Sequence, residues 1–199
     1  MGVLISHRTL APDTAISQGG YSEYLFNGAS ATFRSTIPRG LISSQNLTPL
    51  TSGVMYSVAV ALLAGDVVTT IGFRSGSQAA VTPTAWWFAL YDNASTPALL
   101  GQTADQTNTA WGASHVKELN LSSPVTITQD GVYYLSIMMA AGTVVNLTGF
   151  SMATGGVSSA VTTGQKTLNQ TSGSSLTTTA PATITSASAN SNRAYAWVK

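Results

Sequence analysis

The stretch Thr84-Ala85-Trp86-Trp87-Phe88-Ala89-Leu90-Tyr91-Asp92 carries two of the four tryptophans in the 199-residue chain and lies between Pro83 and an Asp92-Asn93 turn. It reads as a β-strand. Side chains alternate across a strand, so Trp86, Phe88 and Leu90 share one face while Ala85, Trp87, Ala89 and Tyr91 share the other. Both faces are apolar, whereas a strand wetted on one side alternates apolar with polar residues. The pattern predicts a strand inside a sheet whose second face is also covered, by a neighbouring layer or by a partner subunit. Each buried aromatic removes about 150–250 Å² from water, worth roughly 4–6 kcal/mol at ~25 cal/mol per Å², so this strand is the expected packing centre.

The composition around it is unusual in one respect. Only 8% of the residues are charged, against roughly 25% in an average soluble protein. The net charge is +1 and no run of lysine or arginine occurs, so there is no field to draw in nucleic acid or anionic lipid. A surface this uncharged is prone to self-association, which points to coverage in an assembly. Serine and threonine supply the polarity instead, and their short side chains lose little rotamer entropy in packed, extended structure. The chain has no cysteine, so a disulfide framework and thiolate metal sites are excluded. Val3-Leu4-Ile5 is too short for the apolar centre of a secretory signal. No stretch approaches the ~18–20 apolar residues of a membrane span. No cofactor motif is present, and no cofactor is expected.

Residues 1–50 differ from the rest. Tyr21, Tyr24, Phe26 and Phe33 are spaced without helical or strand period, among the basic residues Arg34 and Arg39. Gly19-Gly20, Asn27-Gly28 and Pro38-Arg39-Gly40 break the segment into short pieces. Its aromatics need a surface to cover, so 1–50 is expected to be an extended arm lying on a neighbouring protein, with these six residues as its docking contacts.

From residue 51 to 199 the pattern is all-β. Val54 to Ala64 and Val67 to Phe73, joined by Gly65-Asp66, predict a hairpin with Val67, Thr69, Ile71 and Phe73 on one face. Further strands are predicted at 98–103, at 115–121 with Leu119 and Leu121 inward, and at 132–140 after the Asp130-Gly131 turn. The stretch from 132 to 140 is again apolar on both faces and should share a core with the tryptophan strand. Residues 151–182 are rich in Gly, Ser, Thr and Ala; composition leaves open a flexible excursion or loops held between subunits. Tyr195, Trp197 and Val198 near the C-terminus are expected to close a sheet. Short strands with turns at regular spacing indicate an antiparallel β-sandwich of jelly-roll type.

Site chemistry is sparse. Ser114, His115 and Asp105 are close in sequence, but neighbours on a strand face opposite ways and no nucleophile elbow surrounds the serine. Asp92, Asn93, Asp105 and Asn108 could supply oxygen ligands to calcium, at a spacing that matches no motif. Asp66, Asp92 and Asp130 read more simply as turn residues. Trp87, Tyr91 and Trp111 are candidates for stacking on a sugar ring, set against their reading as core or subunit interface. Five Asn-x-Ser/Thr sequons, at Asn46, Asn93, Asn120, Asn146 and Asn169, are what so much Ser and Thr yields by chance.

Four segments carry a resemblance. They are Ala80-Val81-Thr82-Pro83 running into the tryptophan strand, Leu99 to Gln106 with Thr109-Ala110-Trp111, Gly131-Val132-Tyr133-Tyr134-Leu135, and Ala194-Tyr195-Ala196-Trp197-Val198. Together they resemble a β-sandwich domain recurring in virion proteins of tailed bacteriophages, particularly those infecting actinobacteria, over roughly residues 50–199. Members of that family are labelled minor tail proteins or head decoration proteins. The resemblance implies a non-enzymatic virion component, made in the host cytoplasm and carried on the particle surface. The expected partners are further copies of the chain, as a trimer, and the major capsid protein or tail proteins. Decoration of the capsid through the N-terminal arm is the first expectation; recognition of host-surface glycan by a minor tail protein is the alternative.

Overall fold

The computed structural model describes residues 33–152 and 158–199, and nearly all of their regular structure is strand. A short strand β1 (Arg34–Ser35) and a single 3-10 turn (Arg39–Leu41) lead into β2 (Met55–Leu62), β3 (Val67–Arg74), β4 (Val81–Tyr91) and β5 (Leu99–Gln102). Next come β6 (Val116–Thr126), β7 (Gly131–Thr143) and β8 (Gly149–Ser151). The chain ends with β9 (Asn169–Ser172), β10 (Ser188–Ala189), β11 (Asn192–Ala194) and β12 (Ala196–Val198).

Two antiparallel sheets pack face to face as a β-sandwich. The larger has the order β10-β9-β2-β7-β4-β5 and the smaller β1-β12-β3-β6, with β8 and β11 as a separate pair. The tryptophan strand β4 lies inside the larger sheet, paired to β7 on one side and β5 on the other. Trp86, Phe88 and Leu90 face the space between the sheets, where they meet Phe73, Ile71, Val60, Leu135 and Ile137. Ala85, Trp87, Ala89 and Tyr91 face outward and lie in a second cluster with Met55, Tyr134 and Met138. Both faces are therefore buried, as the alternation predicts. An isolated bridge between Thr103 and Leu121 ties β5 to β6 and joins the sheets along that edge.

The predicted hairpin of β2 and β3 does not form. β2 pairs with β7 and β9 in the large sheet, whereas β3 pairs with β6 and β12 in the small one. The Gly65-Asp66 turn is instead an arch between layers. Gly65, at φ +92°, donates its N–H to Ile127 O at 2.8 Å, and Ile127 N–H donates to Asp66 O at 2.8 Å. The turn thus rests on the crossing from β6 to β7. Thr69 is also displaced from its predicted face. A bulge between Val68 and Thr70 resets the alternation, so Val68, Ile71 and Phe73 point inward while Val67 and Thr69 are exposed. The C-terminal expectation holds, for β12 sits between β1 and β3 with Ala196 and Val198 in the core.

The segments 158–168 and 173–187, on either side of β9, lie over the outer face of the large sheet as a strap. Leu168, Leu176, Ala180 and Ile184 pack on the Trp87 cluster. Across five strands the row beneath it reads Gln170, Ser57, Ser136, Ala89 and Gln102. These residues are small at the centre, which lets the strap approach, and the two glutamines stand at the margins. Ser57 and Ser136 satisfy each other through an Oγ–Oγ bond of 2.7 Å in the buried row. The strap closes the face that the sequence reading left to another layer or to a partner subunit.

Candidate functional site

The three aromatics read as sugar-stacking candidates have no exposed ring face: Trp87, Tyr91 and Trp111 are all 0% exposed. Trp111 leaves the β5–β6 connection and enters the inter-sheet core, its ring 5.1 Å from Trp86 and 5.7 Å from Phe88. Its Nε1 donates to His115 O at 3.1 Å. Trp87 and Tyr91 lie under the strap, where Trp87 Nε1 donates to Thr177 O at 2.7 Å and Tyr91 Oη to Pro181 O at 2.7 Å. Tyr134 repeats the device with Thr167 O at 2.9 Å. Buried Trp and Tyr need a partner for their polar tips, and the strap supplies backbone carbonyls for all three. Burial also pushes the Tyr91 and Tyr134 phenols above their ordinary range. These rings hold the domain together and cannot take a sugar.

The candidate arm residues separate in the same way. Tyr21, Tyr24 and Phe26 lie outside the described residues. Arg34 is part of the sandwich, since it sits in β1 opposite Val198 and its Nη2 pairs with Asp66 Oδ1 at 2.8 Å, both side chains being buried. A guanidinium so committed is not a docking contact. Thr36 continues the attachment, with its N–H and Oγ1 both bonded to Ala196 and its Oγ1 also donating to Ala194 O at 2.7 Å. Ile37, Leu47 and Leu50 are buried as well. The described part of 1–50 therefore belongs to the folded domain, because β1 needs β12 and the residues after it fill the edge of the core.

Phe33 and Arg39 stand at a different surface. Tyr195, just before β12, and Trp197 within it alternate with the core residues Ala194, Ala196 and Val198, so they face out from the small sheet, their rings 5.3 Å apart. Phe33, Ile37 and Ile42 complete this aromatic cluster. Beside it the 3-10 turn carries Arg39, which is exposed, and Leu41, which is 62% exposed. Trp197 lies flat across Gly72 on β3, where an added Cβ would stand 2.2 Å from the indole. Its Nε1 donates to Glu118 Oε1 at 2.7 Å, and Lys199 Nζ reaches the same oxygen at 2.6 Å. Burial works against the Glu118 charge, but these two bonds and the Lys199 charge outweigh it and hold the carboxyl below its ordinary range.

No catalytic or metal grouping forms from the other candidates. His115 Nδ1 contacts Ala113 O at 2.5 Å, and the backbone N–H of His115 donates to Ser75 Oγ at 3.0 Å. Asp92 Oδ1 accepts the N–H groups of Ala94 and Ala98, as a turn residue does. Asp105 Oδ1 accepts Trp86 N–H at 3.0 Å and its other oxygen binds Thr107. Trp86 and Asp92 stand six residues apart along β4, roughly 20 Å, so the supposed calcium ligands are spread over the length of the strand. Among the described residues no three His, Cys, Asp or Glu side chains gather. Two of the sequon asparagines, Asn146 and Asn169, are buried at 5% and 1% exposure and offer no attachment point.

A polar concavity also lies among the described residues, at positions without any motif in the sequence. It has a volume of about 570 Å³ and opens beside the strap, between the loop at Ser95-Thr96-Pro97 and the loop at Gly164-Gln165-Lys166-Thr167. Tyr134, Gln170 and Ile184 are among its lining residues. Lys166 Nζ fastens one wall to the other by donating to Asn93 O at 2.7 Å and Ala94 O at 3.0 Å. No protein-family model and no curated protein matches the chain.

Proposed function

We propose that this chain is a non-enzymatic structural protein of a tailed-bacteriophage particle. In this reading it is a capsid decoration protein that forms a homotrimer on the shell and docks through the segment ahead of β1. We further propose that its sandwich is wound as a jelly roll. Eight strands support that winding: β1-β12-β3-β6 form one sheet and β2-β7-β4-β5 the core of the other. The chain changes sheet between β1 and β2, β2 and β3, β3 and β4, β5 and β6, and β6 and β7. Jelly rolls serve viral capsids and lectins alike, so the fold by itself supports a class of scaffold and not one activity.

The observation that carries the reading is the place of the aromatic cluster. Phe33, Ile37, Ile42, Tyr195 and Trp197 gather on the outer face of the small sheet, where residues 1–32 join the domain. The opposite outer face is already closed by the strap. A low-charge domain with its own large face sealed carries a second aromatic cluster, with Tyr195 and Trp197 only 8% and 6% exposed, at the root of the segment that would choose the attachment site. Many copies of a weak contact on a regular shell bind strongly through effective concentration.

The test is deletion of residues 2–32, followed by sedimentation with purified particles. The shortened protein should keep its thermal midpoint and fail to join the particle; a shortened protein that still joins would sink the docking role. Gold-labelled antibody to the sandwich should scatter over the head. Label confined to the tail would favour a minor tail protein instead, with host-surface glycan as its partner. That second reading draws support from the polar concavity and none from Trp87, Tyr91 or Trp111.

A further inference from the structure

We infer that the concavity between the 95–97 loop and the 164–167 loop is a binding site for a neutral saccharide, with the Gln170 carboxamide as its central polar contact. The inference concerns this site alone and holds on either the head or the tail. Gln170 lies on β9 opposite Ser57, whose side chain is on the strap side of the large sheet. It is only 8% exposed, yet its side chain forms no hydrogen bond with any described residue. The neighbouring groups behave differently: Tyr134 donates to Thr167 O, and Gln165 Oε1 accepts from Val161 and Thr162. No polar atom of Gln170 is among the fully buried unpartnered ones, so its carboxamide reaches solvent at the concavity and can exchange water for a ligand.

The chemistry of the walls selects the ligand class. The volume of about 570 Å³ falls in the ~300–1,000 Å³ range of small-molecule sites. Ser95, Thr96, Thr185 and Ser186 line it with hydroxyls, and no acidic side chain is among the lining residues. Hydroxyls and carboxamides both donate and accept, which matches a sugar whose every hydroxyl does the same. An anion is a poorer match, because the only cation in the lining, Lys166, already spends two donors on Asn93 O and Ala94 O. An apolar ligand would have to strip water from the hydroxyls and carboxamides that share the wall with Ala94, Pro97, Tyr134, Ile184 and Ala187.

The experiment is saturation-transfer NMR on the full chain with methyl glycosides of glucose, galactose, mannose, arabinose and N-acetylglucosamine, and with inorganic phosphate as competitor. At least one glycoside should show transfer that phosphate leaves unchanged. Gln170→Leu, which keeps the volume and removes the carboxamide, should weaken that signal tenfold or more without lowering the thermal midpoint. Thr185→Trp, at an exposed position on the rim, should abolish the signal by filling the site. The inference is overturned if no glycoside shows transfer, if phosphate displaces the signal, or if both variants bind as the wild type does. A lowered midpoint in Gln170→Leu, with binding retained in the surviving fold, would assign the carboxamide a purely structural role and overturn it too.

Discussion

The indole N–H of Trp87 donates to the backbone carbonyl of Thr177 at 2.7 Å, joining residues 90 apart in the chain. The bond fixes a Ser- and Thr-rich segment that has few large side chains of its own. Tyr91 and Tyr134 make the equivalent bonds to Pro181 and Thr167, so the strap is held by aromatic tips rising from the sheet below it. Trp87→Phe removes one tip and part of the packing, and should cost about 2 kcal/mol. Hydrogen exchange should quicken first at Leu176 and Ala180, whose amides bond Gly53 O and the Gln102 side chain, with Val58 and Leu135 in the sheet unaffected. Equal quickening everywhere would show that the strap is not a separate unit.

A second prediction concerns Gly72, which faces Trp197 across the pair of β3 and β12. Any Cβ there meets the indole at 2.2 Å, so Gly72→Ala must push the ring aside. The expected loss is about 1–3 kcal/mol, as for other overpacked sites. The displaced indole also leaves Glu118 without one of its two bonds. The Glu118 carboxyl should then titrate at higher pH than in the wild type, as followed by NMR. An unchanged titration would mean that the indole bond does not help to hold the charge.

The alternation from Trp86 to Tyr91 is enough to place β4 in the middle of a sheet with two buried faces, because its pairing with β7 runs without a bulge from Ala85 to Tyr91. The cover of the outer face was not legible. It depends on carbonyl groups of the strap, which every residue has, and on small residues such as Ala89 and Ser136 in the sheet. The Gly65-Asp66 turn misled for a related reason: the same residues suit a hairpin and an arch, and the choice rests on Ile127, which is remote in sequence. The two residues of β1 are too few to show a period, so a boundary at residue 50 falls after a strand that belongs to the domain. Gln170 gives no signal in the sequence at all, since its interest lies in the bonds it does not make.

Alkaline pH supplies a third prediction. Burial raises the phenols of Tyr91, Tyr134 and Tyr133 above their ordinary value near 10. Above that pH the unfolded chain loses phenolic protons that the folded chain keeps. The contribution of these groups is therefore complete below about pH 10 and is lost as the pH rises through their folded values. Arg193 opposes them, because burial lowers it to about 10, so the folded chain releases that proton first and gains stability as the pH rises above that value. Three groups against one should make the urea midpoint fall above pH 10. Tyr91→Phe should make the fall shallower, while lowering the midpoint at neutral pH by removing the bond to Pro181. A wild-type midpoint that rises above pH 10 would show Arg193 to dominate.

The buried pair of Arg34 and Asp66 separates a structural role from a docking one. Arg34 Nη2 meets Asp66 Oδ1 at 2.8 Å, and Asp66 Oδ2 accepts the N–H of Leu63 at 3.0 Å. The pair thus clamps β1 to the arch between β2 and β3. Removing one partner strands the other charge in a dry site, which typically costs about 3–5 kcal/mol. Arg34→Met should lower the urea midpoint accordingly, and so should Asp66→Asn. Combining them should cost less than the sum of the two, because the stranded charge is gone. A docking contact would behave otherwise: Arg34→Met would leave the midpoint unchanged, weaken association with the particle and show no coupling to Asp66. Measuring stability and particle association on the same three variants therefore decides whether Arg34 belongs to the domain or to its attachment.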